Sequence, residues 1–379
     1  MKIHKNRLAM RGPACYHKTD FKRTERRMKE THEYLVPRYF RAFACKMGAC
    51  RRSCCEGWPV TVSMKNYFTL LGLPCRRELR ERLDIGLRVL DHPTEEEYAR
   101  FSPNWQGDCP MRMEDGRCSI HAELGEDVLS DVCRLYPRGV RTFDGALECS
   151  LSNSCEGVVE LLLREREPMT WSRETLPLVP PPFPGSPSAV SGYPVTRDAR
   201  RALLAILEDR TMTLPERIFS LRAPLGLAGI GSAADPSDGF REACRLLAFF
   251  ADRSASIREE AGICLARYEA NPDRFTDDCR LFADRFPTHA VFFEQLLVNH
   301  AFFSQFPYEG IPLADEWVGL AAVYGLLRVL CVGCTAEDPR EERLVDCAAA
   351  AFRLIGHTRF AHQAAHLLGE GSAAALLAL

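Results

Sequence analysis

The sequence lacks the features that would take a chain into or across a membrane. Its first 30 residues are basic and polar, with no apolar core of signal-peptide length, and no run of about 18 apolar residues occurs anywhere. A formal net charge of -2 also leaves no general excess of positive charge for nucleic acid. We therefore predict a cytoplasmic protein that binds neither a membrane nor a nucleic acid.

Cysteine is the residue that the sequence has in excess. Of the 17 cysteines in 379 residues, eleven lie between Cys15 and Cys155. In the cytoplasm thiols stay reduced, so clustered cysteines indicate metal binding or catalysis more than disulfides. The length suggests about two domains. A core of that size needs no metal to fold, so a metal would act as a local organiser or as a reagent.

The N-terminal half divides into two predicted parts. Residues 1–30 carry ten Lys or Arg against three acids and are predicted to be a disordered basic arm, with Met28 as an alternative start. Residues 31–170 form the predicted cysteine-rich metal-binding module, which has little β structure. Within it, the Asp144-Gly145 dipeptide between two short β-compatible runs predicts a small hairpin.

The C-terminal half is predicted to be helical. Residues 171–196 are assigned to a proline-rich linker, since seven prolines lie between positions 176 and 195 and proline interrupts both helix and sheet. Residues 197–379 contain six segments with apolar residues at i, i+3, i+4 and i+7, the pattern of a helical bundle. The fold class is therefore mainly α, with a cysteine-rich module joined to an all-helical bundle.

Four cysteines lie within eleven residues, in the segment ACKMGACRRSCCEGW. They are Cys45, Cys50, Cys54 and Cys55. Thiolates this close repel one another unless a cation neutralises them, and thiolates favour soft cations such as zinc or iron. Two adjacent cysteines cannot easily chelate one ion together. One of the pair is expected to ligate, while the other belongs to a second centre, supports the first or packs.

The remaining ligands must come from later cysteines. The candidates are Cys109, Cys118, Cys133, Cys149 and Cys155. Zinc sites usually contain two CxxC pairs, and the module has none, whereas iron–sulfur clusters tolerate irregular spacing. Spacing alone leaves zinc and a cluster both open. The CxxC at Cys331 and Cys334 has no second pair nearby and is interpreted, like the other late cysteines, as core packing.

Three segments of the sequence make the chain similar to a known family. They are YLVPRYFRAFACKMGACRRSCCEGWPVTVSMKNY, GRCSIHAELGEDVLSDVCRLYPR and LECSLSNSCEGVVELLL, with a weaker echo in FEQLLVNHAFFSQFPY. Through these segments the chain resembles the flagellin lysine N-methylases, the FliB-like proteins, over roughly residues 34–310. The combination of CC-x-GW, C-x-x-Y-P-R and S-C-x-E is specific.

The resemblance implies an enzyme, a protein-lysine N-methyltransferase. Such enzymes transfer a methyl group from S-adenosylmethionine to lysines of flagellin and depend on an iron–sulfur cluster, expected here to be 4Fe–4S, with zinc as the alternative metal. The metal ligands implied are Cys45, Cys50, Cys54, Cys55, Cys118, Cys133 and Cys155. The Cys-x-x-x-Cys-x-x-Cys triplet of radical S-adenosylmethionine enzymes is incomplete, because Gly57 takes its last position. The alternative is a non-catalytic zinc- or iron-binding protein, a metal chaperone or redox sensor.

Catalytic and donor-binding residues stay unassigned from the sequence. Methyl transfer requires a neutral amine, and free lysine titrates near about 10.4, so a base or a desolvating site is needed. The candidate bases near the module are Glu56, Glu123, Glu126, Asp131 and Tyr136. The aromatic rings of Trp58 and Trp105 are expected to shield the metal from water or to contact the sulfonium.

Overall fold

The structure is a computed structural model. It describes residues 31–56, 60–178, 193–227, 229, 235–269 and 271–379. The predicted basic arm at residues 1–30, residues 179–192 of the predicted linker, and Trp58 therefore lie outside the described residues.

The described residues contain seven strands and fourteen α-helices. The strands are β1 His32–Pro37, β2 Val60–Val62, β3 Leu87–Val89, β4 Ala99–Phe101, β5 Arg138–Phe143, β6 Ala146–Leu151 and β7 Trp171–Leu176. The helices are α1 Met64–Gly72, α2 Arg77–Gly86, α3 Ser119–Leu124, α4 Asp131–Leu135, α5 Glu156–Arg164, α6 Arg197–Glu208, α7 Leu214–Ser220, α8 Pro236–Ala251, α9 Arg258–Glu269, α10 Arg274–Arg285, α11 His289–Phe303, α12 Leu313–Thr335, α13 Glu341–His357 and α14 Phe360–Leu376. The predicted mainly α class is confirmed.

A four-stranded mixed sheet has the order β5-β6-β1-β7. The hairpin between β5 and β6 turns at Asp144 and Gly145, both with positive φ (46° and 71°), as an Asp-Gly turn requires. Strand β1 runs parallel to β6 and antiparallel to β7. Strand β7 corrects the start of the predicted linker. Its residues are half-buried or exposed and pair with β1 along its whole length, and its sequence WSRETL contains no proline.

A small lobe follows the loop that carries Cys45 to Cys55 and precedes strand β5 of this sheet. Its three-residue strands form an antiparallel sheet in the order β2-β4-β3, and helices α1 and α2 pack beside it. Eleven buried residues make a core of its own, with Leu70, Leu83 and Phe101 among them. The predicted module therefore contains more β structure than expected, in two separate sheets.

The long helix α12 lies at the centre of the helical part. It is apolar on all sides, and nineteen of its residues are buried. In the part of the chain that the structure describes, it is the one helix with the length and composition to cross a membrane, although no such run was expected from the sequence. Because 94% of its most apolar window is buried inside the protein, these properties are those of a core helix.

The four-stranded sheet and the helices share one core. Tyr34 of β1, Leu151 of β6 and Trp317 of α12 are all fully buried in it. A buried ion pair joins Glu148 of β6 to Arg200 of α6, with 2.6 Å between Oε2 and Nη1. The predicted boundary between module and bundle therefore does not separate two cores. The small lobe is the part of the described chain with its own core.

Candidate functional site

The loop that carries the first cysteines is tied to the start of helix α5. Glu156, only 2% exposed, accepts hydrogen bonds from the backbone N–H groups of Arg51 (2.8 Å) and Arg52 (3.2 Å). Its other oxygen forms an ion pair with Lys46 at 2.5 Å. Because Glu156 directly follows Cys155, these contacts bring the first cysteine loop to the predicted ligand that is farthest away in sequence.

The same loop also contacts the small lobe. Gly48 and Gly116 both have positive φ (99° and 80°), and their backbones touch. A Cβ on Gly48 would lie 2.8 Å from the backbone nitrogen of Arg117, and a Cβ on Gly116 would lie 2.6 Å from the carbonyl oxygen of Gly48. Glycine is therefore needed at both positions, and their contact brings the loop beside Cys118.

One group of thiols lies at this loop and the start of α5. It consists of Cys45, Cys50, Cys54 and Cys155. Burial raises the pKa of Cys50 to about 12, and the negative charges of Glu156, Cys155 and Cys45 add to the shift. The pKa of Cys54 is raised by its hydrogen bond to Cys55, by burial, and by the charges of Cys133 and Cys155. These thiols are thus neighbours and repel one another as thiolates.

A second group lies at the edge of the small lobe. It consists of Cys55, Cys109, Cys118 and Cys133, which all pack against or within the lobe core. The backbone N–H of Cys109 donates to the carbonyl oxygen of Cys55 at 2.8 Å. The Cys109 thiol donates to Cys55, as does that of Cys54, so the pKa of Cys55 is lowered while that of Cys109 is raised. Cys118 and Cys133 add charge to this group, and Arg112 opposes it.

The donor types fit a thiolate-bound metal. The described cysteines are reduced thiols, and the two groups contain only sulfur donors, which suit zinc or an iron–sulfur cluster. As the side chains stand, no three His, Cys, Asp or Glu residues within the described ranges meet closely enough to hold an ion. The seven predicted ligands are divided between two neighbouring groups, which the hydrogen bond between Cys54 and Cys55 joins. Cys109 and Cys149 are candidates outside the seven implied ligands. Cys109 completes the second group, whereas Cys149 is buried in the sheet.

The predicted bases are mostly neutralised by arginine or exposed. Glu56 pairs with Arg112 at 2.8 Å, and Asp131 pairs with Arg134 at 2.9 Å. Glu123 accepts a hydrogen bond from the backbone N–H of Arg76, and Tyr136 shares a 3.0 Å hydrogen bond with Ser154. Glu126 is exposed. Trp105 is 90% exposed, so it does not shield the cysteines.

A cavity of about 310 Å³ lies close to the first thiol group, between the β5–β6 hairpin, the end of α11 and helices α12, α13 and α14. Its polar lining residues are Arg141, Ser152, Asn153, His300, Ser304, Glu309, Glu316 and Thr358. Phe303, Phe352 and Phe360 supply apolar walls. An enclosure with apolar walls and a few polar groups is the usual form of a ligand site.

Burial shifts the pKa values of two groups in this cavity, Glu316 and His300. Burial raises the pKa of Glu316 to about 8, and the charge of Glu309 adds to the shift. Burial also lowers the pKa of His300 to about 4, so its ring is neutral near pH 7 and packs on Phe352, with 5.5 Å between centroids. The guanidinium of Arg141 lies 5.2 Å above the ring of Phe303.

A short hydrogen-bonded segment joins the cavity to the first thiol group. Ser152 Oγ lies 2.8 Å from Ser154 Oγ, and the next residue is Cys155. The segment is fixed by the buried Asn299 of α11, which donates to Asn153 Oδ1 at 2.6 Å and to the carbonyl oxygen of Leu151 at 2.8 Å. The motif LECSLSNSCEG therefore lines the cavity at one end and supplies a thiol at the other.

The sequence contained a signal for this cavity. The segment FEQLLVNHAFFSQFPY includes His300, Phe303 and Ser304, which line it. The phenylalanines of that segment fall at helical spacing, a pattern that predicts core positions. Helical spacing does not distinguish a side chain that faces the core from one that faces a cavity inside the core.

The helical part is similar to a known domain. Residues 238–378 match the model of the FliB lysine N-methylase C-terminal domain. That range includes α8 to α14, and it supplies His300, Glu309 and Glu316 to the cavity. The predicted resemblance to the FliB-like family is confirmed over these residues. The match does not include the cysteine groups, which lie between residues 45 and 155.

Several curated proteins are also similar to this chain. The Lysine-N-methylase of Salmonella typhimurium and that of Salmonella choleraesuis are each 28% identical to it over 143 residues, 37% of this chain and 35% of the relative. The Flagellar biosynthetic protein FliU of Salmonella muenchen is 27% identical over 136 residues, 35% of this chain and 78% of FliU. The similarity thus spans about a third of the length of the first two relatives. No solved structure matches the chain.

Proposed function

We propose that this chain is a protein-lysine N-methyltransferase that uses S-adenosylmethionine and acts on flagellin in the cytoplasm. The observation that carries the proposal is the FliB-type domain at residues 238–378, which supplies most of the cavity wall. Two relatives are named Lysine-N-methylase and a third is a flagellar biosynthetic protein, which supports the reaction and the substrate.

The chemistry requires three things of the protein. It must keep the lysine amine neutral, align it with the methyl group and the sulfonium sulfur, and exclude water. The cavity offers apolar walls, which lower the pKa of an amine by desolvation, and a buried carboxyl group on Glu316. Aromatic rings such as Phe303 and Phe352 can face a sulfonium.

The thiol groups are the proposed site of an iron–sulfur cluster, with zinc as the alternative. The residues that would hold it are the four thiols beside α5, or the four at the lobe edge. A cluster bound there would supply a redox-active centre. Tyr136 is hydrogen-bonded to Ser154, and Ser154 to Ser152 of the cavity wall. A structural change at the first thiol group can therefore be transmitted to the cavity wall through these hydrogen bonds.

The proposal is tested by methylation of flagellin in vitro. The full-length protein, purified without oxygen and loaded with iron and sulfide, is incubated with unmethylated flagellin and S-adenosylmethionine. Mass spectrometry should show methyl-lysine on flagellin and an equal amount of S-adenosylhomocysteine. Cys50→Ser removes a thiol of the first group and should lose activity. The matched control is Cys75→Ser, which changes a thiol outside both groups and should stay active. Flagellin that stays unmethylated with iron-loaded protein contradicts the proposal.

The alternative function is a non-catalytic zinc- or iron-binding protein. It is favoured by one observation, namely that both thiol groups lie wholly outside the part matched to the methylase domain. This alternative predicts metal that exchanges freely and no binding of S-adenosylmethionine. Metal analysis together with titration calorimetry of S-adenosylmethionine distinguishes the two functions.

A further inference from the structure

The acids buried in the described residues differ in one respect. Five of them form ion pairs with a lysine or an arginine: Glu148, Glu156, Glu260, Asp278 and Glu294. The sixth, Glu316, is 2% exposed and forms no ion pair within the described ranges. Its oxygen accepts a 2.6 Å hydrogen bond from the backbone N–H of Glu309, which satisfies one lone pair but supplies no charge.

Glu316 faces the cavity and has a second acid near it. Glu309 lines the same cavity and is exposed, so it lies at the opening while Glu316 lies inside. A buried carboxylate without a cation is costly, and a neighbouring carboxylate increases the cost. A cationic ligand that entered the cavity would remove both penalties.

The remaining charged and titratable lining groups do not provide that cation. The Arg141 guanidinium is held over the ring of Phe303 and donates to the carbonyl oxygen of Val140 at 3.1 Å. The ring of His300 is buried against Phe352. The cavity therefore has a buried carboxyl group at its inner end, aromatic and aliphatic walls, and an acid at its opening.

We propose that this cavity binds the side chain of the target lysine, with its ammonium group against Glu316, its methylene groups against the phenylalanine walls, and Glu309 at the entrance. The inference deepens the proposed function and rests on it for the identity of the cation. A volume of about 310 Å³ is at the lower end of ligand pockets, which span roughly 300–1,000 Å³.

The test is a binding measurement that needs no methyl transfer. N-acetyl-lysine methylamide and its uncharged analogue N-acetyl-norleucine methylamide are titrated into the full chain by calorimetry or NMR. The lysine compound should bind at least about tenfold more tightly than the norleucine compound, and Glu316→Gln should remove that preference, since about 1.4 kcal/mol corresponds to a factor of ten. Glu165→Gln, at an exposed pair with Arg38, is the matched control and should keep it.

Two results would overturn the inference. One is equal binding of the lysine and norleucine compounds to the unaltered protein, or no binding of either. The other is an unchanged preference in Glu316→Gln when its circular dichroism and melting temperature match those of the parent. Glu309→Gln provides a second, less buried variant, and it should weaken lysine binding without affecting folding.

The inference and the proposed function fail in different ways. If flagellin is methylated and Glu316→Gln leaves the KM for flagellin unchanged, the pocket assignment is wrong and the methyltransferase stands. If lysine binding depends on Glu316 but no methyl transfer occurs, the pocket stands and the proposed reaction is wrong.

Discussion

The small lobe and the helical part use cysteine in opposite ways. In the helical part, Cys264 and Cys334 are buried in the core with 3.5 Å between their sulfurs, and they fill space among apolar side chains. In the lobe, three of the four thiols are only half-buried, at the edge of a core of eleven residues. The comparison indicates that cysteines at the edge of a small core have a role other than packing.

The two parts also differ in what stabilises them. The sheet and helices bury large side chains such as Trp317 and Phe292 together with several ion pairs. The lobe has strands of three residues and a core that can supply only a few kcal/mol, about 3–5 for domains of this size. We therefore expect the lobe to open without the rest of the chain, and its order to depend on what its thiols bind.

The largest expected effect comes from the ion pair that joins the sheet to the helices. Glu148→Ala leaves Arg200 buried without its carboxylate, and breaking such a pair costs about 3–5 kcal/mol. Urea denaturation followed by circular dichroism should show the transition of the sheet and helices at lower urea. Glu165→Ala is the exposed control. A loss below about 1 kcal/mol would mean that the sheet and helices are less tightly coupled than the shared core indicates.

A smaller effect, confined to one part, is expected from a substitution in the lobe core. Leu83 of α2 is fully buried there, and Leu83→Ala should cost about 3 kcal/mol, within the usual range for such cavities. Hydrogen exchange should become faster in α1 and α2 and stay unchanged in α12. Equal acceleration in α12 would contradict the independence of the two cores. Leu281→Ala, half-exposed on α10, is a control with little expected effect.

The cavity acid gives a pH-dependent effect of intermediate size. The pKa of Glu316 is about 8 in the folded protein against 4.5 ordinarily, so between these values the folded state holds a proton that the unfolded state has lost. Stability from this group therefore falls as pH rises through that window. Relative to the parent, Glu316→Gln should be more stable near about pH 9 than near about pH 5, by about 1.4 kcal/mol or more. A difference independent of pH in denaturation curves would contradict the shift.

The smallest effect is expected at the lobe surface. Arg77 and Glu81 of α2 form an i,i+4 pair at 2.7 Å, and their side chains are 91% and 56% exposed. Because solvent screens such a pair, Arg77→Ala should change the free energy of unfolding by about 0.5 kcal/mol or less. A larger loss of free energy of unfolding, measured by hydrogen exchange in α2, would show that the lobe is less stable than its core indicates.

The sequence by itself determined the features that depend on neighbouring residues. The helical segments after residue 197 follow from apolar spacing, the hairpin from Asp144 and Gly145, and the concentration of thiols from the spacing of Cys45 to Cys55. Each of these signals acts within a few residues, so no knowledge of distant contacts was needed.

Only the tertiary structure decided the features that depend on distant contacts. The partition of the thiols needs Glu156 at the first loop and Cys109 against Cys55, contacts that span 54 to 105 positions of sequence. Strand β7 exists because β1 pairs with it, and the cavity exists because α11 to α14 meet the hairpin. Local patterns cannot specify such meetings, since they arise from the packing of whole elements into one core.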